Sequence, residues 1–427
     1  MAHQASNIPW NVLASNLHWS ELKHPGHGDL HLRFKPDQGK KLHYFVEAFI
    51  RNIREHSYTA RKQYPEHYNP PLPEEVILDD AVVCKITPTV RRWRAQRKHP
   101  GFCRCGSGIL RSEETEHKCE CPIPIPPEER TAAAFYRRYE PNRCYMFFET
   151  NGKAFYNLEI VKTLLLYGEM DTIFRVCAYP GVDLRTWWSM YQCYCENPDA
   201  GWDSLCRTAL LPYIALNVIS CFPETWDSAS GKTNEKDYRR MRIYQYMLKH
   251  CTKSGMTTEV ATHPHRQFFG IADGQFKRYG TEFRGPGLHI PYPYGLMPLE
   301  AFLNWDQVVE SKPAPADIPQ VQWILHSKGL PMELVLEIMA FAGYAPRGRL
   351  QVPHDPFHPE NREELAKYLR FCWEVLVRCD MMAVALGMAI PWRDLVSNTL
   401  VQLLSCVPRR WYTIPDDVDH PESYVFL

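Results

Sequence analysis

Apolar residues Leu365, Leu369, Cys372, Leu376, Cys379, Ala383 and Leu386 recur at alternating spacings of four and three, while Arg362, Lys367, Arg370 and Arg378 stand off that line. Such a stripe predicts a long helix and demands a cover along its whole length, since each large apolar side chain gains roughly 1.5–3 kcal/mol from full burial. Asn361 stands where an N-cap belongs, with Glu364 three residues on, an Asn variant of the capping box. The same chain offers two further helical patterns as covers, at 330–344 and 392–407. The expectation is therefore a small C-terminal helical unit with its own core; an external coiled-coil partner is the alternative.

A chain of 427 residues exceeds the size at which single cores stop growing, and its hydrophobic (45%) and charged (23%) fractions are ordinary globular usage. Lys plus Arg and Asp plus Glu both number 49, so no global field draws the protein to nucleic acid or anionic lipid, and any such binding must be local. No apolar run reaches the length of a membrane helix, and the first residues have neither the basic start nor the apolar core of a secretory signal. These features predict an intracellular protein, in cytoplasm or nucleus, without a membrane partner. Fifteen cysteines, several inside helical apolar patterns, read as reduced thiols rather than a disulfide framework.

Punctuation along the chain divides it into five parts. Residues 1–40 lack periodicity and read as an irregular arm. Region 41–150 mixes a helix carrying Leu42, Phe45, Val46, Phe49, Ile50 and Ile53, ending before Pro65, with short strand candidates at 76–78 and 81–84 and a Cys-rich loop. Acids after Pro127 lead into a helix start at Ala132. Region 151–309 is helical, with two short helices over 157–179 capped at Asn157 and Asp171 and stopped at Gly168, followed by helices over 205–222 and 238–249 and a long Gly/Pro/aromatic segment. Residues 310–319 read as a semi-rigid linker, and 320–427 as the C-terminal helical unit. The fold class expected is mainly α, a multi-part helical protein with a few short strands.

Leu330-Pro331-Met332-Glu333-Leu334, followed by Ile338, resembles the first helix of an F-box. That resemblance implies an interaction protein docking the adaptor subunit of a cullin ligase, with Leu330, Pro331, Leu334 and Ile338 making the contact. The Pro-rich stretch 345–359 departs from the short second helix of that family. More broadly, residues 330–404 resemble a segment recurring in uncharacterised proteins of filamentous fungi, which implies no activity.

Cys103-Arg104-Cys105 and Cys119-Glu120-Cys121 bracket thirteen residues, with His117 close by. Four or five soft ligands converge if the loop folds back, enough for a tetrahedral structural zinc ion; a polar loop with free thiols is the other reading. Cys103 to Gly108 resembles the opening of the zinc-binding SEC-C motif, although that family's next ligand position holds Glu114 here. Just upstream, Arg91, Arg92, Trp93, Arg94, Arg97 and Lys98 gather cations around one indole, a composition suited to phosphates and a stacked base, or simply to a solvated face.

Other constellations fail on spacing. Ser230-Gly231-Lys232-Thr233 resembles the end of a P-loop, but Trp226 occupies the position of the required first glycine. His354, Asp355 and His358 suit capping and hydrogen bonding better than metal ligation, and no nucleophile has a recognisable elbow. The function expected is protein–protein interaction by an F-box-like adaptor. The alternatives are a zinc-stabilised nucleic-acid binder centred on 91–121 and an enzyme of a class that one sequence does not reveal.

Overall fold

In a computed structural model of the chain, the described residues are 7–21, 28–32, 38–95, 125–140, 147–189, 200–233, 236–253, 255, 258–271, 317–341 and 350–404. The fold is mainly α. In chain order the elements are α1 (Trp10–Ala14), β1 (Leu17–Glu21), β2 (Gly28–Leu32), α2 (Gln38–Arg61), α3 (Asp80–Ala95), α4 (Ala132–Phe135), α5 (Phe147–Tyr167), α6 (Met170–Cys177) and α7 (Asp203–Ser220). They continue with α8 (Arg242–Cys251), α9 (Glu259–Phe269), α10 (Asp317–Ser327), α11 (Met332–Phe341), α12 (Arg362–Ala385) and α13 (Trp392–Leu404).

The central element is α7. Its sequence is apolar almost all round and nearly every residue in it is buried, which is what a helix needs when it is covered on every side. Helix α12 lies against α7 and α2, so the long stripe is covered chiefly by these two helices rather than by its neighbours 330–344 and 392–407. Leu365, Leu369, Cys372, Leu376, Cys379, Ala383 and Leu386 are all buried as the spacing predicted. An aromatic knot joins α1, α2, α7 and α12: Trp10 meets Phe45 at 5.3 Å, Phe49 meets Trp373 at 5.7 Å, and Tyr213 meets Trp373 at 5.2 Å.

Polar contacts fix the same junction. Asp380 of α12, buried, accepts from Ser57 Oγ of α2 (2.5 Å) and from Trp392 Nε1 of α13 (2.7 Å). Arg378 reaches across to donate to the carbonyls of Leu165 (3.3 Å) and Leu166 (3.0 Å), oxygens left without an intrahelical partner at the end of α5. Gly168 ends that helix at φ +75°, a conformation only glycine adopts without strain.

Several local expectations need correction. The arm 1–40 is not irregular throughout: α1 is followed by an antiparallel pair in which Leu17 faces Leu32 and Glu21 faces Gly28. Residues 81–84 lie in α3, not in a strand, because Val82, Val83, Ile86, Val90 and Trp93 share one buried helical face and Asp79 caps the helix by accepting from Val82 N (2.8 Å). At 76–78 the structure has only an isolated bridge from Val76 to Thr131. Asn157 is no cap; it sits inside the single helix α5, buried, and donates to the Ala134 carbonyl. Asp171 falls in the first turn of α6, whose N-cap is Glu169, and accepts from Tyr68.

Asn361 does stand at the head of α12, but its amide is used elsewhere. It accepts from Val352 N (3.1 Å) and donates to the carbonyls of Val352 and Asp355 (both 2.7 Å), stapling the loop 350–361. Of the proposed linker, 310–316 lies outside the described residues and 317–319 opens α10. The described cysteines, Cys84, Cys177, Cys206, Cys221, Cys251, Cys372 and Cys379, are unbridged.

Candidate docking site

Helices α10 and α11 form a hairpin. Gly329, at φ +86°, turns the chain after α10, with its N–H donating to the His326 carbonyl (2.9 Å). Pro331 then suits the first turn of α11, where a missing N–H costs nothing, and its carbonyl accepts from Val335 N (3.0 Å). Glu333 adds a favourable negative charge at that helix's positive end.

Across the hairpin the two helices contact each other, and neither has an extensive contact with any other described element. Among the described side chains of α11 two are buried, Val335 and Met339, and neither joins the main core. At about 100° per residue, Leu330, Pro331, Leu334 and Ile338 share one flank of that buried line, and Met332 and Leu336 share the other. Leu334 is 46% exposed, Ile338 42% and Leu336 52%, and on α10 Trp323 is 70% exposed. Glu333 and Glu337 occupy the remaining face. A helix apolar over so much of its circumference is ordinarily covered. Here the four residues predicted from sequence to make a docking contact lie together at the surface.

The other predicted sites fare differently. Cys103, Cys105, His117, Cys119 and Cys121 lie outside the described residues, as do Arg97 and Lys98. Among the described residues no group of three or more His, Cys, Asp or Glu side chains is placed to hold a metal ion. The indole of Trp93 is 1% exposed and packs on Tyr156 at 5.3 Å, with the Arg94 guanidinium 5.4 Å above the same ring. Arg92, half-buried, has its pKa pushed down by burial, opposed by the charge of Glu259 and by Tyr167. Trp93 and Arg94 are therefore drawn into the packing of α3 against α5 and α9. The 3.6 period of Val82, Ile86, Val90 and Trp93 was the signal that the ring faces inward.

Lys232 bridges Asp237 (3.3 Å) and lies over the Tyr238 ring, so it serves a local turn rather than a phosphate cradle. Asp355 accepts from Tyr238 Oη (2.7 Å), and His358 Nδ1 accepts from Glu360 N (3.3 Å), which are the hydrogen-bonding and capping roles expected of that loop.

Sequence reasoning missed two buried ionic groups. Lys162 and Glu159 of α5, both fully buried, pair at 2.9 Å, and Lys162 also donates to the Ala200 carbonyl (2.8 Å). On α9, Glu259 pairs with Arg266 in the interior. Pairs that deep leave the neighbouring charge stranded if one member is lost, a structural duty sufficient to retain them. Near α9 a small pocket is lined by Pro264, Phe268, Glu364, Lys367, Tyr368 and Phe371, without a convergent set of polar groups.

Among the described residues, the fold and this surface define a helical protein with an apolar hairpin presented outward. Residues 11–411 match the family described as Gramillins biosynthetic cluster protein GRA5, and the chain belongs to that family. This span extends the likeness seen at 330–404 to nearly the whole chain and lends no support to the F-box resemblance. No curated protein and no solved structure matches the chain. No helix among the described residues is long and apolar enough to cross a membrane.

Proposed function

We propose that this protein works inside the cell by binding another protein through the Leu330–Pro331–Leu334–Ile338 flank of α11, and that the occupant is the adaptor subunit of a cullin ligase. The observation that carries the reading is the exposure of apolar side chains on a flank that the described fold leaves uncovered. The likeness of 330–338 to an F-box first helix supplies the identity of the occupant. The larger body built on α2, α7 and α12 is left to recognise what is delivered; membership of a family described by a biosynthetic cluster makes that cluster's proteins the first cargo to examine.

Half-exposed Leu and Ile side chains gain about 1 kcal/mol each when a partner buries them, and a carboxylate placed in the same contact costs more. Leu334→Asp with Ile338→Asp should therefore weaken binding by about a hundredfold. The test is titration calorimetry of the purified full chain against the purified adaptor subunit. Micromolar or tighter binding that the double variant abolishes supports the reading. No binding, or binding indifferent to the substitutions, overturns it.

A further inference from the structure

Helix α2 divides cleanly by face. Leu42, Phe45, Val46, Phe49, Ile50 and Ile53 are buried on one side. The opposite line, followed at about 100° per residue over about 27 Å, carries Lys40, Tyr44, Arg51, Arg54 and Tyr58, and Lys62 stands one residue past the helix end. All six are exposed, the two rings strongly so, with Tyr44 at 56% and Tyr58 at 66%. Tyr44, Arg51 and Tyr58 follow one another at seven-residue steps, so a cation stands midway between two rings roughly 21 Å apart.

Charge on this ridge is one-sided. Arg51 and Arg54 have no ion-pair partner among the described residues, and Lys62 Nζ sits 4.2 Å above the Tyr58 ring. Of the two acids on the ridge, Glu47 is neutralised by Arg393 at 2.5 Å, leaving Glu55. On a chain with zero net charge this is a local positive strip interleaved with aromatic faces.

We infer that the outward ridge of α2 binds single-stranded nucleic acid, its cations neutralising phosphates and Tyr44 and Tyr58 offering stacking faces to bases. Two features favour that occupant over other anions. An acidic peptide needs the cations but has no use for two exposed rings, whereas bases stack on such rings whatever their sequence. A lipid surface needs a continuous apolar face to insert, and here the two rings are interrupted by cations along the whole line. The site is separate from the α11 flank, and neither reading depends on the other.

The experiment is fluorescence anisotropy of the full chain with labelled oligo(dT) and oligo(U) of about twenty nucleotides. Binding should weaken steeply with salt, in proportion to the phosphates neutralised. Tyr44→Ala with Tyr58→Ala should weaken it by about tenfold or more, and Arg51→Glu with Arg54→Glu should weaken it further and flatten the salt dependence. Lys328→Glu, on the turn between α10 and α11, should leave it unchanged. Circular dichroism of each variant establishes that it folds. Absence of binding at low salt, indifference to the tyrosine or arginine variants, or equal affinity for poly-glutamate or phosphatidylserine vesicles would each overturn the inference.

Discussion

Lowering the pH should unfold this protein partly through one imidazole. His265 of α9 is buried, hydrogen-bonded through Nδ1 to Tyr368 Oη of α12 at 2.7 Å, and enclosed edge-on by the Tyr368 and Phe371 rings. The acids of the two helices that meet there are themselves paired, Glu259 with Arg266 on α9 and Glu364 with Lys367 on α12. Burial pushes the His265 pKa down to about 3. In the unfolded chain it titrates near 6.5. Between those values the unfolded state takes up a proton that the folded state refuses, so stability is full above about pH 6.5 and is lost as pH falls toward about 3. At about pH 5 the loss is 1.5 pKa units, or about 2 kcal/mol. His265→Gln keeps a neutral polar group facing Tyr368 and cannot titrate. Urea unfolding of both proteins at about pH 7.5 and about pH 5 isolates the imidazole, because carboxylates common to both cancel. Wild type should lose about 2 kcal/mol more than the variant. A difference under about 0.5 kcal/mol, or a His265 resonance titrating near 6.5, would refute the argument.

Two further outcomes follow from the buried polar joints. Asp380→Ala removes the acceptor shared by Ser57 and Trp392 and should cost about 3 kcal/mol in urea unfolding, with Asp380→Asn recovering part of it; an unchanged midpoint would refute that reading. Asn361→Ala removes three backbone bonds across the loop 350–361 and should raise its amide exchange and proteolysis well before the core opens, at a local cost of about 3 kcal/mol.

Helices with a clean apolar period were legible in the sequence: α2 ends at Arg61, ahead of Pro65, the stripe from Leu365 to Leu386 is buried throughout, and Gly168 turns the chain as a helix stop. Periodicity gives the face to be covered but not the surface that covers it. The partners of α12 therefore emerged only with the fold, since α2 and α7 are remote in sequence yet present the aromatic knot around Trp373. The short apolar run 81–84 suggested a strand because its two valines outweighed the longer period of Val82, Ile86, Val90 and Trp93. Asn361 satisfied a capping pattern while its amide answered to the loop behind it. Leu330, Pro331, Leu334 and Ile338 were singled out through the likeness of 330–338 to an F-box first helix, and the fold adds that Leu334 and Ile338 are exposed; the ridge of α2 went unnoticed, because Tyr44, Arg51 and Tyr58 are separated in sequence and align only once the helix is drawn.

The Ser57–Asp380–Trp392 joint has a consequence for synthesis. Ser57 and Asp380 are 323 residues apart, so at ordinary elongation rates α2 leaves the ribosome roughly 15–65 s before its permanent cover exists. Throughout that interval the nascent chain carries Phe45, Phe49 and Ile53 without α12 to shield them. Truncation ahead of Asp380 should therefore yield not a smaller stable protein but a chaperone client.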